Sequence, residues 1–422
     1  MESAQVRACP ECGAEMPIQH GYVTWCDQCN WNVAASVKDA SAGTLDRLYA
    51  AAGRQLGDRL DRELRAAEEL EPTLTKAKLA AYVVAAFVYT FVIALVVGAI
   101  VLLAIAPTNP AAIVVAVIFL GTAFLMRPRT GKPPTENLVA KKEAPTLHET
   151  IAAVAAALDT PAADVVEIDA RYNASFAVLG WRRRRALTLG LPLLAALEPQ
   201  ERVELFAHEL AHGRNGDSTR GLFVGSAVNG LVELYDLLEP DPSAGEGYEE
   251  LAFFERIANV VLYLLSRPVK WLLLLEFHLL LQDSRRAEYL ADALAARVAG
   301  TEAAVSSQEK LLLDSAFKAI VKEYAQSGVQ GDLFDEIHGR FALVPDRERE
   351  RIRRAARLEE TRLDATHPPT GLRMRMLEER RWREPEVVLD VVRSADIDRE
   401  LAPFRAAFQE SLIEDYRDSL YY

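Results

Sequence analysis

Residues 208–212 read His-Glu-Leu-Ala-His, and these side chains at this spacing can do hydrolytic chemistry. On a helix, His208 and His212 stand one turn apart on one face, so both imidazoles can reach one metal ion. Glu209 lies beside them, where a carboxylate can hold an attacking water and take its proton. A hydrolytic zinc site has three protein ligands and one open position. His20, His148, His278, His338 and His367 are all candidates for the third ligand. Glu288 is the better one. The stretch "RRAEYLADALAA" sets Glu288 and Asp292 one turn apart on a second helix. Glu288 would complete a two-histidine, one-glutamate set. Asp292 would accept a hydrogen bond from the far nitrogen of a ligand histidine and fix its tautomer. Taken alone, the Glu288 stretch is an ordinary charged helix face and the histidine stretch can arise by chance; together they describe one site.

A second donor set lies near the N-terminus. Cys9 and Cys12 form one C-x-x-C pair, Cys26 and Cys29 another, and the chain has only these four cysteines. Two such knuckles can surround one structural, tetrahedral zinc ion. A redox disulfide pair is the plainer alternative. A domain of about 40 residues needs the metal to fold, and a closed four-thiolate site is suited to docking or regulation, not catalysis. His20, between the pairs, reads as a surface residue.

The elements that must hold these groups are also written in the sequence. Pro199 suits a first helical turn, Glu201 and Glu204 suit its positive end, and Gly213 is a natural stop, so 199–212 reads as the zinc helix. Residues 44–76 repeat leucines at helical spacing between charges, which predicts an amphipathic connector. Residues 79–106 contain no charge and 111–126 form a second apolar run after the turn "PTNP". Together they predict a transmembrane hairpin, since about 20 apolar residues cross a bilayer. Lys76, Lys78, Arg127, Arg129 and Lys132 flank it and the turn is uncharged, so both ends are expected in the cytoplasm. Reduced thiolates persist there as well. The net charge of −13 argues against a nucleic-acid partner.

Glu288 must meet the two histidines on one side of the membrane, so 213–287 must cross it an even number of times. Glu233 and Asp236 are costly in lipid, and Arg267, Pro268 and Lys270 interrupt the apolar stretch 251–281. The expectation is therefore broken helices that lie on or dip into the membrane surface, with two true spans as the alternative. Glu276 and His278 read as packing or interfacial groups. The stretch "RERERIRRAARLEE" reads as a solvated helix face. The run Arg182–Arg185 reads as a hairpin tip or a contact for anionic lipid heads.

"AHELAHGRNGD", then "RRAEYLADALAA", then "THPPTGLRMRML" at 366–377 resemble, in that order, the HtpX-type membrane zinc endopeptidases, relatives of the CAAX prenyl endopeptidase. The resemblance covers roughly residues 75–380 and extends to "YNASFAVLG" at 172–180. It implies a mainly α-helical, gluzincin-type metallopeptidase domain with a small β-sheet beside the zinc helix. It implies His208, His212 and Glu288 as zinc ligands, Glu209 as general base and Asp292 as the carboxylate behind a ligand. It places His367 near the site, in a transition-state or a structural role, and Arg373 at the family's basic position. Misfolded or membrane proteins are the substrates it implies.

The resulting division is a ribbon at 1–40, a helical linker at 41–78, the hairpin at 79–126, a peptidase domain at 140–384 with the 221–281 insertion, and a helical C-terminal extension at 385–422. The expected protein is a bacterial inner-membrane endopeptidase with a cytoplasmic site. It would carry one catalytic and one structural zinc, and a protein partner would meet the ribbon. A peptide substrate would add as a strand along Asn173, Ala174, Ser175 and Phe176. The rival is a membrane adaptor that binds partners without cleaving them.

Overall fold

Thr75 caps the first apolar helix by accepting a hydrogen bond from the Lys78 N–H. That helix, α1 (Lys76–Ile105), runs for 30 residues, about 45 Å. The structure is a computed structural model that describes residues 5–33, 74–216, 221–239, 249–327, 331–358 and 368–420. Asn109 caps α2 (Pro110–Leu125), whose first turn holds Pro110. The two helices pair as a hairpin and leave Phe87, Ile93, Ile100, Val117 and Phe124 facing outward. Such a surface matches lipid, not water. By length and composition, α1 and the stretch Gly221–Leu238 are each able to cross a membrane. Of the linker expected at 41–78, residues 41–73 lie outside the described residues, as do residues 240–248.

The soluble part is built on α3 (Pro145–Ala157) and a three-stranded sheet. Its strands are β3 (Val165–Asp169), β4 (Ala174–Leu179) and β5 (Arg184–Gly190), in the order β3-β5-β4. β3 runs parallel to β5, and β4 antiparallel to it. β4 is thus an edge. The β4–β5 hairpin turns at Gly180–Arg183, as the arginine run suggested, and Trp181 at its tip is fully exposed. A short helix, α4 (Leu191–Ala196), leads into α5 (Pro199–Arg214), which carries the His-Glu-Leu-Ala-His stretch.

α5 starts as its sequence predicts. The Glu198 N–H donates to Glu201 Oε2 at 2.7 Å, half of a capping box, and Pro199 opens the first turn. It does not stop at Gly213. The helix continues through Arg214, and Gly216, at φ +73°, makes the left-handed exit. Gly213 serves closeness instead: a Cβ there would sit 2.8 Å from the Phe176 ring on β4. Every residue from Glu201 to Ala211 is buried. The ionisable ones are tolerated because they are partnered. Lys310 Nζ lies 3.9 Å from Glu201, Arg202 bonds Leu194 O and Ser394, and Ser307 Oγ donates to Glu204 at 2.6 Å.

After a π-helical turn at Gly221–Gly225, α6 (Ser226–Leu238) and α7 (Glu249–Ala299) pack against α1 around Ala81, Ala85, Leu231 and Leu273. The break expected at Arg267–Pro268–Lys270 is not there: α7 is one helix of 51 residues. One proline removes one bond from a long ladder, and the packing of residues 269–280 on α1 and α6 outweighs that loss. Arg267 lies over the Tyr263 ring, which shields its charge. Glu233 is neutralised by Arg129, just beyond α2. A single rod therefore carries Glu288 from the apolar bundle into the soluble core.

The remaining helices among the described residues are α8 (Thr301–Leu311), α9 (Asp314–Ser327), α10 (Leu333–Ala342), α11 (Asp346–Leu358), α12 (Thr370–Glu379) and α13 (Val391–Asp418). α13 is more than an appended tail: Ile397, Leu401 and Phe408 join the same core as α3 and α5. The N-terminal ribbon, with β1 (Val6–Ala8) paired to β2 (Glu15–Pro17), rests on α11. The arginines of α11 are accordingly not a solvated face. Their helical spacing is the same whether the face meets water or a surface of carbonyl oxygens, and here Arg347, Arg351 and Arg354 all bond ribbon carbonyls.

Candidate active site

α5 and α7 cross so that one face of each meets. Donor atoms of His208, His212 and Glu288 all lie within 4.8 Å of one another. His208 Nε2 is 3.6 Å from Glu288 Oε2, and His212 Nε2 is 3.7 Å from Glu288 Oε1. These separations are long for hydrogen bonds. They are close to the edge of about 3.3 Å expected between ligands of a tetrahedral zinc ion with bonds near 2.0 Å. The two imidazole planes stand at 87° with centroids 5.0 Å apart, so the rings converge without stacking. Two nitrogens and a carboxylate oxygen in this arrangement fit zinc.

Asp292 lies behind His208. Its Oδ1 is 3.1 Å from His208 Nδ1, which leaves Nε2 to face the donor cluster. Asp292 is wholly buried and is itself held by Arg373 of α12. Burial opposes ionisation of Asp292, but the Arg373 guanidinium outweighs it and lowers the pKa. Burial likewise opposes a charged His208, yet the Asp292 and Glu288 carboxylates raise its pKa well above the usual value. A divalent cation held at Nε2 would take the place of that proton.

The site opens into a cleft of about 820 Å³. Glu209 lines it beside the histidines. Every residue from Asn173 to Leu179 lines it too. Successive residues of a strand point to opposite faces, so an unbroken lining means that the backbone edge of β4 borders the cleft. Asn173, Ala174, Ser175 and Phe176, expected to meet a peptide, lie on this wall. Gly221, Gly225 and Asn229 form the wall toward the apolar bundle. His367 lies outside the described residues, and its neighbours Pro368 and Thr370 line the cleft.

Fold geometry is matched by kinship. The family model "Peptidase family M48" matches residues 141–381, more than half of the chain. The chain belongs to peptidase family M48. Curated relatives include proteins named Protease HtpX. That of Pseudomonas putida is 27% identical over 166 residues, which cover 38% of this chain and 55% of the relative. That of Stutzerimonas stutzeri is 27% identical over 190 residues, 42% of this chain and 61% of the relative. That of Chromohalobacter salexigens is 27% identical over 234 residues, 52% and 67% of the two chains. The chain thus spans little more than half the length of the first of these. Metallopeptidases of family M48 are zinc-dependent in general, and the donor cluster at His208, His212 and Glu288 falls inside the matched region.

The cleft also contains residues that the sequence analysis did not assign to the site. Glu204, one turn before His208, is buried in the cleft wall, and burial pushes its carboxyl up to about 7. Gln308 of α8 reaches Asp292 Oδ1 at 3.4 Å. The spacing Glu204–His208–His212 places three ligand-type residues on one stripe of α5, which was the available signal for Glu204.

The four cysteines form a separate cluster. The Sγ atoms of Cys9 and Cys29 are 3.6 Å apart and those of Cys12 and Cys26 are 3.5 Å apart. A disulfide needs about 2.05 Å, whereas sulfurs around zinc at about 2.3 Å stand near 3.8 Å from one another. The Cys29 and Gln28 N–H groups hold the Cys26 thiol down at about 7. The Trp31 N–H favours the Cys29 thiolate, but burial and the other sulfurs push Cys29 up to about 12. Four thiols this close oppose one another's ionisation, and a divalent cation removes that opposition.

Proposed function

We propose that this chain is a membrane-anchored zinc endopeptidase that cleaves polypeptides, with misfolded or membrane proteins as substrates. The observation that supports it most is the convergence of His208, His212 and Glu288 on one point beside Glu209, in a cleft bordered by a strand edge. When bound there, zinc would supply an acidified water and a polarised scissile carbonyl. Glu209 takes the proton of the attacking water and passes it to the leaving amine nitrogen. Asp292 keeps the His208 Nδ1 proton in place, and Arg373 keeps Asp292 charged. The outer edge of β4 pairs with an extended peptide, and backbone bonds of this kind impose little sequence preference.

The same reading assigns a structural zinc to Cys9, Cys12, Cys26 and Cys29. It places the protein in the bacterial inner membrane with the ribbon and the site in the cytoplasm. The basic flanks of the α1–α2 hairpin support that orientation. So does Lys78 at the foot of α1, which bonds Asn215 O at the end of the zinc helix. A non-cleaving adaptor has less support, because all five polar residues of the site converge. The test is Glu209→Gln. The variant is expected to retain its metal and to lose cleavage of casein; equal cleavage by variant and parent would overturn the reading.

A further inference from the structure

We infer that the N-terminal ribbon is an internal brace for the catalytic site: it clamps α11, and α11 sets the position of α12 and hence of Arg373. The inference rests on the zinc-peptidase reading above for its consequence, but its geometry is independent of that reading.

The clamp is built around Trp25, which sits one residue before Cys26 and is buried to 2% exposure. Its ring lies beneath two guanidinium groups of α11, with Arg347 4.6 Å and Arg354 5.0 Å from the ring centre. The same arginines take up the carbonyls of the ribbon's metal knuckle. Arg347 donates to Trp25 O at 2.6 Å, and Arg354 donates to Asp27 O at 2.6 Å and to Asn30 Oδ1 at 3.0 Å. Arg351 closes the far side by donating to Val33 O at 2.7 Å. The carbonyls of Trp25 and Asp27 flank Cys26, so the shape presented to α11 depends on the knuckle being closed. A ribbon folded by its metal presents these oxygens in fixed positions; an unfolded one does not.

From α11 the connection continues inward by two routes. Gly371 of α12 lies against the α11 backbone so closely that a Cβ would stand 2.5 Å from Ala356 O, and Arg357 pairs with Glu378 at 3.1 Å. α12 carries Arg373, which grips Asp292. On the other side, Arg353 pairs with Glu309 of α8 at 3.2 Å. α8 carries Gln308 against Asp292 and Ser307 against Glu204. Both of these routes therefore end on the carboxylate that orients His208. The ribbon's partner is this chain's own α11, and the face that carries Trp25 is already occupied.

The test uses the full-length protein in detergent, as the double variant Arg347→Gln, Arg354→Gln. Neither residue touches the cleft. Three quantities are read: amide exchange across 346–358 and 370–379, the rate at which a chelator removes the catalytic metal, and casein cleavage. Exchange is expected to quicken in both helices. Metal loss should rise, and kcat fall, by about three- to tenfold, with KM unchanged. Faster exchange confined to the ribbon, with metal loss and kcat as in the parent, would overturn the brace. If the double variant does not accumulate, Arg354→Lys keeps the charge but loses the stacked plane. It should shift the same quantities in the same direction, and no shift in any of them would count equally against the proposal. Exchange and metal loss need no substrate, so they stand even if the parent cleaves nothing, whereas Glu209→Gln tests the reaction itself.

Discussion

Arg373 holds Asp292 through two parallel hydrogen bonds, Nε to Oδ2 at 2.8 Å and Nη2 to Oδ1 at 2.6 Å, with both residues removed from solvent. A fork of this kind matches a carboxylate in direction as well as charge. Truncating Arg373 leaves the Asp292 carboxylate buried without its guanidinium, with only His208 and Gln308 against it. Arg373→Ala is therefore expected to lower stability by about 3–5 kcal/mol. Chemical denaturation of the detergent-solubilised protein measures this. A loss below about 1 kcal/mol would show that water reaches Asp292 in solution.

Asp292→Asn keeps the shape but removes the charge that favours the His208 Nδ1 proton. His208 Nδ1 lies 3.1 Å from Asp292, and that contact decides which nitrogen faces the donor cluster. The variant is expected to bind zinc about 10–100-fold more weakly, as is typical when the group behind a ligand histidine is changed. Competition with a chromogenic chelator gives the number. Unchanged affinity would mean that the imidazole is oriented by its packing alone.

Asp332 gives the fold a pH-dependent contact away from the metal. It caps α10 and accepts hydrogen bonds from Arg405 of α13 at 2.7 and 2.6 Å. Burial works against its charge, but Arg405 and the cap N–H groups outweigh it and lower its pKa below the ordinary 3.8. Between the two values the unfolded chain binds more protons, so stability rises with pH there. The contribution is complete above the ordinary value and is lost as pH falls through the lower, folded one. Asp332→Asn keeps the cap and loses the pair. It should cost about 1 kcal/mol at neutral pH, given the partial solvent screening. The difference should vanish in strong acid, which urea melts across the acid range would show.

The helix that carries His208 and His212 was readable because its signals are local. Histidines at i and i+4, a proline and an acidic residue in the first turn are all set within sixteen residues. Glu288 and Asp292 were readable for the same reason, since one helical turn fixes both. The α1–α2 hairpin followed from the absence of charge. What the sequence did not show depends on what a face meets. The arginines of α11 have the spacing of a solvated stripe, and only the ribbon's carbonyls reveal their use. Pro268 and its charged neighbours looked like a break, because local propensity does not register packing on α1. Gly213 looked like a helix stop, because nothing local announces Phe176 on a strand some forty residues earlier.

That contact carries a last expectation. A methyl group on residue 213 would lie 2.8 Å from Phe176 Cε1 and 3.1 Å from Cζ, so the ring must move. Phe176 is on the edge strand and lines the cleft. A ring on a flexible side chain can turn away at small cost, and alanine favours the helix over glycine by about 1 kcal/mol. Gly213→Ala should therefore leave the melting temperature nearly unchanged. The displaced ring enters the space where an extended peptide would pair with β4. KM for an unfolded reporter should rise several-fold while kcat holds, the pattern expected when binding common to the ground and transition states is lost. A fall in kcat at constant KM would instead place the disturbance at the zinc helix, and the strand-edge route for substrate would lose its support.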